Sequence, residues 1–258
     1  MINKELGIGI LDIYDDASLI ECTKSLAAAD PQGFVSTYVI TNRKTPLKDF
    51  VYDKKIGHSV SMATLRNHCL AAFRCAGLKY LFLINSNVVI KDPEFIQKTI
   101  ATAEAFGTWF LAGYQGNPTV LDDADLGQSL CINNKLNTDF IFIRSGVVGN
   151  LGYFDERFVN TKDLDVLDYI VKARKIGIYP PHPYHATCGD YINYTTAKID
   201  RIDHSDMIDQ KNRSVGFSYG YFHHQHKYIP DHDEIKEATK DDLMIFMGDL
   251  QAAYAKKA

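Results

Sequence analysis

The residues whose types and spacing bear on chemistry lie in a few short runs. Asn85-Ser86-Asn87 closes the apolar run Tyr80–Ile84. Asparagine offers a metal ion an amide oxygen but no charge, so the run reads either as a weak oxygen-donor site or as a strand-to-loop turn, where asparagine and serine are common. In His223-His224-Gln225-His226 an extended backbone points His224 and His226 the same way. No cysteine or carboxylate beside them completes a four-ligand zinc set, and the other reading is a solvated histidine-rich segment. Asp122-Asp123-Ala124-Asp125 has the composition of an acidic metal loop, although such runs are more often solvated. Asn160 and Asp163 stand three apart, as in a capping box, and an acid there suits a helix dipole. Phe217–Tyr228 (FSYGYFHHQHKY) mixes rings with Lys227, and such platforms stack on sugars and nucleobases alike.

The elements that must position these runs alternate in type. Gly7–Ile13, Phe34–Thr41 and Tyr80–Ile84 read as strands, the last continuous enough to be buried on both faces of a parallel sheet. Trp109–Ala112 and Asp139–Ile143 are further strand candidates. Leu19, Cys22, Leu26 and Ala29 recur at helical spacing up to Asp30-Pro31. Met62, Leu65, Cys69, Phe73 and Ala76 do the same before Gly77, and Asn160–Ile176 reads as a helix closed by Gly177. Asp92-Pro93 has the cap and first-turn residues of another helix start. Alternation of this kind predicts an α/β layer fold with a mostly parallel sheet and flanking helices. Ligands then sit at the carboxyl ends of the strands, where Asp12–Asp16, Thr41–Lys44 and Asn85–Asn87 converge.

After residue 185 the texture changes. Lys198–Arg213 is charged and poor in apolar residues, so it reads as a surface excursion. Thr239–Ala255 returns to helix with Leu243, Met247, Leu250 and Tyr254 on one stripe. The expected organisation is a core over 1–185 and a C-terminal extension over 186–258 on the same domain. A net charge of −4 over 258 residues argues against coating nucleic acid through bulk electrostatics. The five cysteines are scattered without a Cys-x-x-Cys pair, which fits reduced thiols in the cytoplasm. Neither a signal peptide nor a run long enough to span a bilayer is evident, so no membrane association is expected.

Three ordered blocks resemble the inverting, family-2-like glycosyltransferases of the GT-A (Rossmann-like) nucleotide-diphospho-sugar transferase fold. They are the opening strand with FVSTYVITNRK, then SMATLRNHCLAAFRCAGLKYLFLINSNVVIKDP over 61–93, then GYFDERFVNTKDLDVLDYIVKARKIGIYP over 152–180. Together they cover roughly residues 7–180. In that family the second block carries Asp-x-Asp where Asn85-Ser86-Asn87 stands, and the third carries an acidic pair where Lys162-Asp163 stands.

The resemblance implies transfer of a sugar from a nucleotide-sugar, with a UDP-sugar the expected donor, to an acceptor hydroxyl. It implies Asp163 as the general base, with Asp165 the nearest substitute. It places Asp12 and Tyr14 on the nucleotide base and ribose, Asn42 beside them, and Asn85, Ser86 and Asn87 at the donor. Arg66 then reaches a phosphate or, alternatively, pairs on the surface. Asn87, His224 and His226 would share Mn2+ or Mg2+ with the diphosphate. The missing carboxylates leave two alternatives: a metal-independent site in which Lys or Arg neutralises the leaving group, or a chain without transferase activity that binds a nucleotide-sugar or glycan. A sugar nucleotidyltransferase is disfavoured, because Tyr14-Asp15-Asp16 is not a glycine-rich basic loop. The acceptor class stays open between a glycan, a protein, a small molecule and a hydroxymethylated DNA base, the last requiring base flipping.

Overall fold

In the computed structural model, which describes residues 5–33, 35–57, 60–113, 119–123, 128–133, 136–158, 164–182, 185–195, 225–226 and 239–255, the opening apolar run is β1 (Leu6–Asp12), buried along its whole length. Parallel partners flank it: β2 (Ser36–Thr41) on one side and β4 (Tyr80–Asn85) on the other. The two-residue β3 (Lys54–Lys55) extends this parallel half beyond β2. The other half is built from β6 (Phe110–Gly113), β7 (Thr119–Asp123), β8 (Gln128–Asn133), β9 (Asn137–Arg144) and β10 (His185–Thr187).

The resulting nine-stranded order is β3-β2-β1-β4-β9-β6-β10-β8-β7. Among the described residues only β8 and β9 run against the rest. The mixed α/β layer with a mostly parallel sheet and flanking helices is therefore present. The reversal of β9 beside β4 decides the chemistry of the site. A separate ribbon pairs β5 (Val88–Ile90) with β11 (Ile192–Tyr194).

The helices are α1 (Asp16–Ala29), α2 (Met62–Cys75), α3 (Phe95–Ala105), α4 (Ser145–Leu151), α5 (Leu164–Lys175) and α6 (Lys240–Ala255). Asp15 caps α1 by accepting from the Ser18 amide at 2.8 Å, and Ser61 caps α2 through the Thr64 amide at 3.2 Å. Gly77 and Gly177 follow α2 and α5 with φ of 71° and 73°, the left-handed conformation that ends a helix at least cost in glycine. The glycines of β1 serve another purpose. A Cβ on Gly9 would stand 2.7 Å from the Cys69 sulfur, and one on Gly7 2.7 Å from the Phe73 ring, so α2 packs directly on bare backbone.

Several expected boundaries move. The helix anticipated at Asp92-Pro93 begins at Phe95. Asp92 instead accepts from the Glu94 amide at 2.8 Å and from Lys98 Nζ at 2.6 Å, closing a turn ahead of the helix. Asp122 and Asp123, weighed as part of an acidic metal loop, are the last residues of β7, with Asp123 opposite Gln128 of β8. Asp125 lies outside the described residues. The division at 185/186 falls inside β10, a strand of the main sheet. Of the α6 stripe, Leu243 and Leu250 are buried and Met247 is half-buried, while Phe246 joins them and packs on Tyr179 with ring centroids 5.8 Å apart. Lys198–Arg213 lies outside the described residues, as does Phe217–Tyr228 apart from Gln225 and His226.

Candidate functional site

Three strand ends meet as the sheet topology requires. At the end of β1 the Asp12 carboxyl is wholly buried. Tyr52 donates to Asp12 Oδ2 at 2.9 Å and Arg43 reaches the same oxygen at 3.5 Å, while its other guanidinium nitrogen pairs with Asp16 at 2.7 Å. Thr41, at the end of β2, donates to the Asp12 backbone carbonyl at 3.1 Å. Burial raises the Asp12 pKa, and the Arg43 charge and the Tyr52 and Thr41 hydrogen bonds oppose the rise without cancelling it. Asp12 Oδ1 is buried without a hydrogen-bond partner. A buried carboxylate oxygen left without a partner is a strong acceptor for an O–H or N–H group.

The end of β4 carries the second cluster. Ser86 donates its amide to the Leu11 carbonyl at 3.0 Å and accepts from the Tyr14 amide at 3.4 Å, which stitches β4 to the loop after β1. Antiparallel β9 sets Phe140 opposite Ile84. One step further, Asn85 Nδ2 donates to Asp139 Oδ1 at 2.6 Å and Asn87 Nδ2 to Asp139 Oδ2 at 3.2 Å. The Tyr14 hydroxyl is 3.4 Å from Asp139 Oδ1. A carboxylate can only accept, so the amide nitrogens face it and the amide oxygens turn away. Asn85 Oδ1 and Asn87 Oδ1 are both buried without a hydrogen-bond partner.

Asp139 is the residue that sequence reasoning missed as part of the site. It stood there as the first residue of a strand candidate. The available signal was an acid opening an otherwise apolar run, which demands a partner for a buried charge.

Two supports hold this cluster. Thr195, next to β11, donates its amide to the Asn87 carbonyl at 2.8 Å, and its hydroxyl is 3.0 Å from that of Ser18. On the other side, Arg66 of α2 donates to Thr138 Oγ1 at 3.1 Å and to Asp165 of α5 at 2.5 Å. Arg66 and Asp165 are both fully buried. Arg66 was expected on a phosphate or at the surface, and Asp165 as a substitute base. Their helices turn both side chains inward, where each neutralises the other beside the start of β9.

Of the remaining expected residues, Asn42 and His226 are described. Asn42 is half-buried just past β2. His226 was expected beside Asn87 on a metal, but Asp168 of α5 lies 2.8 Å from its Nε2 and Lys175 3.0 Å from its Nδ1. Burial lowers the His226 pKa, against the opposing pull of Asp168. Asp163 and His224 lie outside the described residues. Among the described residues no group of three or more His, Cys, Asp or Glu is placed to hold a metal ion. No helix among them is long and apolar enough to cross a membrane.

In β11, burial is the main force raising the Tyr194 hydroxyl pKa, with the nearby Cys188 and Asp139 adding to it. Tyr194 rests on Gly113, where an added Cβ would come within 2.5 Å of the Tyr194 oxygen and 3.3 Å of the Asn137 carbonyl. Gly113→Ala is therefore expected to cost about 1–3 kcal/mol in a denaturant titration. Adding Tyr194→Phe, which removes the obstructing oxygen, should recover most of that loss. Equal stability of Gly113→Ala and the parent would show that the ring moves aside freely.

No protein-family model and no curated protein matches the chain. Among solved structures it is similar to the catalytic domain of Drosophila β-1,4-galactosyltransferase 7 in complex with xylobiose, at 12% identity and a TM-score of 0.45, over 90% of this chain and 84% of that one. A mutant of that enzyme in complex with manganese, UDP-Gal and xylobiose gives 12% identity and a TM-score of 0.43, over 80% and 79%. The 4-diphosphocytidyl-2C-methyl-D-erythritol synthase of Anaerococcus prevotii gives 9% and 0.41, over 84% and 97%. Likeness at this level leaves the functional reading to the residues themselves.

Proposed function

We propose that the chain is an inverting glycosyltransferase of GT-A type that uses a nucleoside-diphosphate sugar, with a UDP-sugar the expected donor. The observation that carries this reading is that three buried acceptor oxygens, Asp12 Oδ1, Asn85 Oδ1 and Asn87 Oδ1, lack a hydrogen-bond partner among the described residues at or just beyond the carboxyl ends of the adjacent strands β1 and β4. The order of the three sequence blocks supports it independently. Asp12 suits the hydroxyl or N–H groups of a nucleoside. The asparagine pair suits the diphosphate end, where a hard cation prefers oxygen ligands.

The donor set at that end is all oxygen, which fits Mn2+ or Mg2+. Asn85 and Asn87 would hold the ion through Oδ1, and when bound it would neutralise charge on the diphosphate leaving group. The chain's own residues do the rest. The acceptor oxygen attacks the anomeric carbon as the bond to the diphosphate breaks, and the acceptor proton passes to Asp163. Arg66 and Asp165 are assigned to support of β9 rather than to chemistry. Phe217–Tyr228 is the proposed acceptor wall, for a glycan, protein, small molecule or modified DNA base. The scattered reduced cysteines suit a cytoplasmic setting.

A second reading, nucleotide-sugar binding without transfer, is favoured by the lack of a carboxylate within Asn85-Ser86-Asn87 itself. One experiment addresses both. In a thermal-shift screen of nucleoside diphosphates and their sugars with Mn2+, Mg2+ or EDTA, one nucleotide should stabilise the protein by roughly 2.7 kcal/mol at a hundred times its Kd. Absence of any shift overturns the donor-site reading. Binding without release of nucleoside diphosphate selects the second reading over the first.

A further inference from the structure

We propose that Asp139 is the positioning residue of this site, locking the Asn85 and Asn87 amides so that their oxygens present to a divalent cation. The inference rests on the donor-site reading and adds to it a residue from a different strand. An asparagine amide has nearly the same shape in its two orientations and opposite chemistry in each. Left to itself, Asn85-Ser86-Asn87 could offer a ligand either N–H donors or oxygen acceptors. Asp139 removes the choice. Its two oxygens take one amide each, at 2.6 and 3.2 Å, so neither asparagine can turn its oxygen inward without setting it against a carboxylate.

The carboxylate also acts electronically. A hydrogen bond from an amide N–H to an anion shifts electron density toward the amide oxygen, which becomes a better ligand for a hard cation. Carboxylates hydrogen-bonded behind metal ligands serve this purpose widely, and their loss weakens metal affinity about 10–100-fold. The site thus keeps a carboxyl group next to the ligands, one hydrogen bond behind them rather than on them.

Asp139 is itself held on both sides. Its amide donates to Asn137 Oδ1 at 2.9 Å, and Arg66 grips the preceding Thr138. The two residues that precede Asp139 in β9 are therefore both engaged in fixing the strand end from which its carboxylate projects.

The test reads Mn2+ bound to the protein alone, by the loss of the free-ion electron paramagnetic resonance signal. Asp139→Asn should weaken Mn2+ binding about 10–100-fold, because the new amide donates to the very oxygens that the carboxylate turned away. Combining it with Asn87→Asp exchanges amide and carboxylate across one hydrogen bond, and should return Mn2+ affinity to the parent level or beyond. The paired variant also serves if Asp139→Asn alone folds poorly, since a purely structural role would restore melting temperature without Mn2+ binding. Parental affinity in Asp139→Asn, or no recovery in the paired variant, overturns the proposal. So does a parent that binds no Mn2+ yet is still stabilised by nucleotide in EDTA, an outcome that leaves the donor reading standing. Mn2+ binding that follows Asp139 with no nucleotide shift does the reverse.

Discussion

Arg66→Met is expected to cost about 3–5 kcal/mol of stability, or about 6–20 °C in Tm. The reason is the company Arg66 keeps. It is wholly buried, it meets Asp165 at 2.5 Å, and it reaches Thr138 at 3.1 Å. Methionine fills much the same space but takes the Arg66 guanidinium away from a buried carboxylate, and desolvation makes the loss of that pairing the dominant penalty. The pair itself contributes little net stability, so removing both charges should be far milder than removing one. Arg66→Met combined with Asp165→Leu is expected to regain most of the loss, short of about 1 kcal/mol for the missing bond to Thr138. Urea titrations of the two single variants and the double variant give the coupling directly. If the double variant is as unstable as the sum of the singles, the pair is not the source of the effect.

The same arginine shows how far the sequence could be read. The apolar period of α2 was legible because Leu65, Cys69 and Phe73 recur at helical spacing. Arg66 lies three residues from both Ala63 and Cys69 and four from Leu70, all buried, so the phase placed its side chain inward. Charge argued for the surface, and phase was the better guide. The parallel half of the sheet was equally legible, since strands covered on both faces must be continuously apolar, as LGIGIL and YLFLI are up to their terminal Asp12 and Asn85.

The other half was not. The hairpin β7–β8 carries Asp122, Asp123, Gln128 and Ser129, which periodicity cannot separate from a solvated loop. β3 and β11 are too short to leave a pattern. Asp139 was missed for a topological reason. In an all-parallel sheet the start of DFIFI would lie at the opposite edge from the end of β4, far from any cleft. Because β9 runs backwards, its first residues arrive beside Asn85. Strand direction is a long-range property set by how the chain crosses the sheet, and a local sequence window does not contain it. The departure at Asn85-Ser86-Asn87 was therefore visible at once, while the carboxylate beside it was visible only in three dimensions.

Asp163→Asn is expected to lower turnover about 10²–10⁴-fold while leaving the nucleotide-induced thermal shift in place. This substitution separates the two roles that the position invites. Asp163 immediately precedes α5, and an acid ahead of a helix suits both the first-turn amides and the dipole. Asparagine caps a helix about as well as aspartate, so a residue serving only the helix should lose a few tenths of a kcal/mol and no activity. It cannot accept the acceptor's proton, so a residue serving as base should lose activity at nearly constant Tm. Asp165, two positions later, offers the contrast: buried against Arg66, its replacement should register in Tm. Undiminished turnover in Asp163→Asn would remove the base assignment. A fall in turnover that is restored by Asp163→Glu would strengthen it, because a carboxylate one methylene longer still takes a proton where an amide cannot.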